Sequence, residues 1–175
     1  LRAARLSPRS RRQQAGGMDM HVEQRFHGHR VLRHGRMPLP GRACHVVVAT
    51  RGHQPWFSSF HVACEAVRAF RQPSARGDAA LLAWVLMPGR VHWLLQPGER
   101  AALATVVSRM KATAGAQVNR MLARAGPLWE PAFDCRALDQ DEDLRVASRQ
   151  FVAGALRAGR IEDFGGYPFW DCAWM

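Results

Sequence analysis

The sequence predicts an α+β domain: an antiparallel sheet covered by helices, with elements in the order β-α-β-β-α-β-α. Three observations predict it. Strand-length apolar runs bounded by Gly, Pro or polar residues recur at 43–50, 79–87 and 90–96. Only Pro88-Gly89 separates the second run from the third, which makes them a hairpin and therefore an antiparallel pair. Around these runs lie longer stretches whose apolar residues fall at helical spacing.

Each element follows from local chemistry. Ala43 to Thr50 (ACHVVVAT) is β-branched and reads as a buried strand, and Arg51 to Pro55 (RGHQP) as a polar loop. From Trp56 to Arg71, Phe60, Ala63, Val67 and Phe70 mark one helical face, and Gln72 to Asp78 breaks the helix. Ala79 to Met87 and Arg90 to Gln96 form the hairpin strands, closed by Pro97-Gly98. Ala101 to Ala125 carries apolar residues at 103, 106, 107, 110, 114, 118 and 121, a long amphipathic helix stopped by Gly126-Pro127. Trp129 to Leu138 is weakly patterned and predicts an edge strand. Asp139 is the expected cap of a last helix running to about Arg157, with acidic residues at 141–143 near its positive end and Gly159 closing it. The aromatic tail GGYPFWDCAWM is expected to pack back onto the sheet.

Composition bounds the function. The 175 residues carry 25 Lys+Arg against 14 Asp+Glu, a net charge of +11. Hydrophobic residues make up 47%, with six Trp and eight Phe, which excludes a wholly disordered chain. No stretch approaches the ~20 uninterrupted apolar residues of a membrane span, and the Arg-rich start lacks the apolar run of a secretory signal. A cytoplasmic protein is expected. The four cysteines (Cys44, Cys64, Cys135 and Cys172) show no CxxC spacing, against a zinc ribbon or redox pair. Charge divides the chain into two expected parts. Residues 1–36 hold nine Arg and two acids, a balance of +7, and read as a disordered basic leader able to hold phosphates. Residues 37–175 hold 16 Lys+Arg and 12 acids, a balance of +4, and read as one domain. The chain begins with Leu and reads as a fragment or as an upstream read-through with Met18 or Met20 as the natural start.

One phrase carries chemistry. Ala83 to Glu99, AWVLMPGRVHWLLQPGE, resembles the HUH-type single-tyrosine transposases of bacterial insertion sequences, of the REP-associated tyrosine transposase kind. That family reads Met-Pro-Asp/Asn-His-x-His-Trp/Leu-Leu-Leu there. The resemblance spans about residues 36–175 and includes PGRACHVVVATRGHQPWF, LWEPAFDCRALDQDEDL, and RQFVAGALRAG followed by GGYPFWDCAW, in collinear order. It implies a ferredoxin-like HUH architecture and, by descent, a DNA-transposing enzyme that cleaves and rejoins strands on structured single-stranded DNA. Two His at i and i+2 on a strand share a face. In the family they hold Mg or Mn with an Asn or Gln, and the cation polarises the scissile phosphate. A tyrosine four residues before that Asn, in Tyr-Ile-x-x-Asn-Pro, attacks from the same helix face.

This chain departs from the pattern at each of these points. Arg90 stands at the first His position, leaving His92 as a remnant ligand. Gln150 stands at the nucleophile position, Gly154 at the Asn position and Ala155 at the Pro position. The single tyrosine, Tyr167, matches the family's Gly-Asp-Tyr-Pro segment beyond the helix and predicts a packed aromatic. The expectation is therefore a transposase fold without the transposase reaction and without a metal cofactor. Arg90 replaces a metal ligand by a fixed charge able to grip phosphate bidentately. The expected partner is DNA in single-stranded hairpins, bound by a monomer or a homodimer. Arg51, Gln54, Arg90, Lys111, Arg149 and Arg157 are the candidate DNA contacts, with Arg109 and Arg120 beside them and Trp56 and Trp129 as stacking platforms. The alternatives are a non-catalytic nucleic-acid-binding module, a decayed remnant, and an enzyme using Cys135 or Ser148 as another nucleophile.

Overall fold

The computed structural model describes residues 41–139, 141–159 and 166–174; the expected leader at 1–36 lies outside them. Five strands form one antiparallel sheet in the order β4-β1-β3-β2-β5. They are β1 (Cys44–Ala49), β2 (Ala80–Met87), β3 (Arg90–Gln96), β4 (Asp134–Ala137) and β5 (Trp170–Cys172). The helices are α1 (Phe60–Phe70), the single turn α2 (Pro73–Arg76), α3 (Leu103–Met121) and α4 (Leu144–Ala158).

The continuous apolar runs of β2 and β3 have a plain cause: both strands are central, and helices cover both faces of the sheet. On one face Val46, Val48, Trp84, Leu86, Val91, Trp93 and Leu95 pack with α1 and α3. On the other, Ala83, Val85, Met87 and Leu94 pack with Phe151, Val152, Ala155 and Leu156 of α4. Period-two alternation sorts the side chains between these layers. An irregularity in the β2–β3 register between Leu81 and Ala83 turns the consecutive Leu82 and Ala83 to the α4 side. Trp93 is fully buried in the α1–α3 layer, with Phe70 edge-on to it and to Trp84 at 5.5 Å each.

Several boundaries differ from expectation, each for a local reason. Residues 56–58 form a 3₁₀ turn after Pro55, so α1 begins only at Phe60. Pro73 starts α2 inside the expected break, and Gly77 ends it at φ +64°, where a glycine is favoured. The long helix stops at Met121, earlier than Ala125, because Ala123 and Gly126 both take positive φ. The edge strand shrinks to 134–137, while Trp129 makes only an isolated bridge to Thr50. Asp143, not Asp139, caps α4, its carboxylate accepting from Arg145 N at 2.8 Å. The tail does return to the sheet, and does so as the fifth strand against β2.

Candidate functional site

Strands β3 and β1 bring two histidines together beneath α4. His92 lies across from Val47 of β1 and Val85 of β2, on the face that α4 covers. His45, two residues before Val47, shares that face, and its Nε2 lies 3.2 Å from His92 Nδ1. Phe151 of α4 closes over both rings, at 4.8 Å from His45 and 6.4 Å from His92. Sequence reasoning missed His45, though a lone imidazole inside a β-branched strand was its visible signal.

Burial decides the protonation of this pair. It pulls His92 down to about 3, with the neighbouring His45 and Arg90 acting in the same direction. Burial likewise lowers His45 to about 4, assisted by Arg136. Both rings are neutral at pH 7, so one donates and the other accepts in their shared hydrogen bond. His92 Nε2 is buried without a hydrogen-bond partner among the described residues.

The residues that the sequence resemblance aligns with metal ligands do not fit a divalent cation. Gly154 offers no ligand atom and Arg90 brings a positive charge. His92 has spent one nitrogen on His45. Among the described residues no three His, Cys, Asp or Glu side chains cluster as a metal site would require.

Gln150, which the sequence resemblance aligns with the attacking tyrosine, has different surroundings. Gln150 is exposed and immediately precedes Phe151; Gly154 follows one turn on, half-buried. Met87, just before the hairpin turn, reaches Gly159 at the end of α4 so closely that a Cβ there would collide with its terminal methyl. The hairpin with Arg90 and His92 thus packs against the helix with Gln150 and Gly154. Tyr167 donates its hydroxyl to the Leu86 carbonyl and sits edge-on to Phe169 at 6.1 Å. Burial raises its pKa, so both its bond and its surroundings oppose a phenolate. Ser148 is fully buried and Cys135 half-buried in the sheet edge, poor positions for attacking DNA.

Around the hairpin turn the surface is basic. Thr50 ties the 51–54 loop to the turn: its N donates to Gly89 O at 2.9 Å, and its hydroxyl lies 3.0 Å from the same oxygen and 2.7 Å from Gln54 O. This brings exposed Arg51, Gln54 and Arg90 to one end of the sheet, where α4 with exposed Arg157 also terminates. Arg149, also exposed, lies two turns back along α4. Lys111 is occupied elsewhere. Its ammonium donates to the carbonyls of Glu130 at 2.7 Å and Pro131 at 2.9 Å. Arg120 is exposed near the end of α3, whereas Arg109 turns its guanidinium against Gly77. Trp129 is no stacking platform: it is 5% exposed, packs on Phe57, and donates its indole N–H to Lys111 O. Trp56 is half-buried beneath Arg124, whose guanidinium lies 4.7 Å from the ring centre.

Among solved structures, the chain is similar to a REP-associated tyrosine transposase bound to a REP hairpin. Identity is 16% over 78% of this chain and 80% of that one, with a TM-score of 0.58. It is also similar to a protein of Deinococcus radiodurans, provisionally described as a transposase. There identity is 19% over 70% of this chain and 97% of the other, with a TM-score of 0.49. No family model and no curated protein matches the chain. The first likeness establishes the fold, an α+β antiparallel sheet with helices arranged as in a transposase. No helix among the described residues is long and apolar enough to cross a membrane.

Proposed function

We propose that this domain binds structured single-stranded DNA at the basic end of its sheet and does not cleave it. One observation carries the reading: Arg90, an exposed cation, stands beside the buried His45–His92 pair where the related fold would place a metal ligand. A guanidinium there grips a phosphate with no cation between them. Arg51, Gln54 and Arg157 surround it, and Arg149 extends the surface along α4. The transposase of similar fold was captured on a REP hairpin, which supports a hairpin as the ligand class. The attacking tyrosine and two of three ligands are replaced, which supports loss of strand cleavage. The protein acts in the cytoplasm, as a monomer or a homodimer.

The test is a band shift with a short DNA hairpin, repeated with EDTA and at two salt concentrations. If Arg51, Arg90, Arg149 and Arg157 each neutralise one phosphate, log K falls against log salt with a slope of about −3, roughly 50-fold between 50 and 200 mM. EDTA leaves the affinity unchanged. Strong loss on chelation would contradict the metal-free grip; equal affinity at both salts would contradict a phosphate-driven interface.

A further inference from the structure

Beside the hairpin turn, one carboxylate is held by a backbone N–H and a guanidinium together. Glu130 Oε1 accepts from Gly52 N at 2.8 Å, and its Oε2 from Arg51 Nη1 at 3.1 Å. Gly52 (φ 62°, ψ 24°) and His53 (φ 55°) both hold left-handed conformations there. Arg51 N and His53 N donate within the fold, to Leu128 O at 2.8 Å and Thr50 O at 2.9 Å, so Gly52 N is the donor this turn presents to an anion. A backbone N–H plus a guanidinium is also a charge-assisted recognition pair. The carboxylate is held in place by its own backbone: Glu130 N donates to Ala49 O at 2.9 Å, and Lys111 anchors Glu130 O. The Gly52 hydrogen bond, followed by the charge of Arg51, keeps the carboxyl below its ordinary range, so it is ionised at pH 7.

We infer that the Arg51–Gly52 turn is a phosphate subsite and that Glu130 is its internal competitor, displaced when a DNA backbone phosphate enters. This rests on the DNA-binding reading above and adds to it a specific subsite and a built-in brake. Displacement is open to solvent, because the Arg51 and Glu130 side chains are 55% and 32% exposed. The brake is modest, since an exposed ion pair is weak. It also confers selectivity: only a phosphate held by further contacts, such as those of Arg90, outcompetes an anion already in the turn.

Glu130→Gln tests this directly, because its amide oxygen still accepts from Gly52 while the charge facing Arg51 is gone. The variant is expected to bind the hairpin about 3- to 5-fold more tightly, with the salt slope unchanged, because Arg51 meets one phosphate in both proteins. The gain disappears in the Arg51→Ala/Glu130→Gln double variant. A folded Glu130→Gln protein with unchanged or weaker affinity overturns the inference. If neither wild type nor variant binds the hairpin, the DNA reading fails on its own, and inorganic phosphate decides the subsite. A saturable shift of the Gly52 amide resonance, at lower phosphate in the variant than in wild type, upholds it; no shift overturns it. Should Glu130→Gln fail to fold, Glu130→Asp, which retracts the carboxylate by one methylene, is expected to shift both readouts in the same direction.

Discussion

At the scale of single residues, the buried imidazole pair makes a distinctive demand. His45 and His92 hold pKa values of about 4 and about 3, below the ordinary value of about 6.5 that they regain on unfolding. Between those limits the unfolded chain binds more protons than the folded one. Stability is therefore fully present above about pH 6.5 and drains away as pH falls toward 3–4. Melting temperature is expected to drop between pH 6.5 and 5, a range where ordinary carboxylates do not yet titrate. His92→Gln is expected to flatten that drop; an unchanged pH profile in the variant would contradict the assignment. Arg90 stood out in the sequence because the phrase Met-Pro-Gly-Arg-Val-His-Trp places it at the start of a hairpin strand, where the structure also has it. His45 was not legible in that way. Its role depends on which strand pairs with which, and only the β1–β3 register places its ring against His92.

At the scale of elements, the packing of Trp93 sets the scale of stability. It is fully buried between the sheet and the α1–α3 layer, against Phe70. Trp93→Ala is expected to cost about 3–5 kcal/mol in denaturant unfolding, by lost burial plus the cavity left behind. Phe60, 57% exposed on α1, is the contrast: its alanine variant should change stability by no more than about 0.5 kcal/mol. Comparable losses for both would contradict the layer assignment. The hairpin, α1, α3 and α4 were legible because their apolar periods are long and punctuated by Pro or Gly. The failures are short-range. The cap of α4 fell to Asp143 because the choice among several acids in DQDED turns on a single backbone geometry. β5 was invisible as a strand because Trp-Asp-Cys has no period to read, and only its partner β2 makes it one.

At the scale of the whole molecule, charge and topology combine. The sheet order brings one end of the central hairpin, the 51–54 loop and the end of α4 together, so that cations distant in sequence share a surface. Arg51, Arg90 and Arg157, singled out in the sequence, all lie on this surface. It did not reveal which were already occupied: Lys111 on backbone carbonyls and Arg51 on Glu130 are tertiary facts. The proposed reading is a transposase-like fold that grips DNA at this basic end without cutting it, beside a Phe151-capped pair of neutral histidines. The most direct measurement is incubation of the full chain with hairpin DNA and Mn²⁺, followed by denaturing electrophoresis and intact-mass analysis. The account predicts uncut DNA and unmodified protein, with the same mixture forming a salt-sensitive complex under native conditions. A nucleotide ester on any side chain, or a nicked strand, would contradict it.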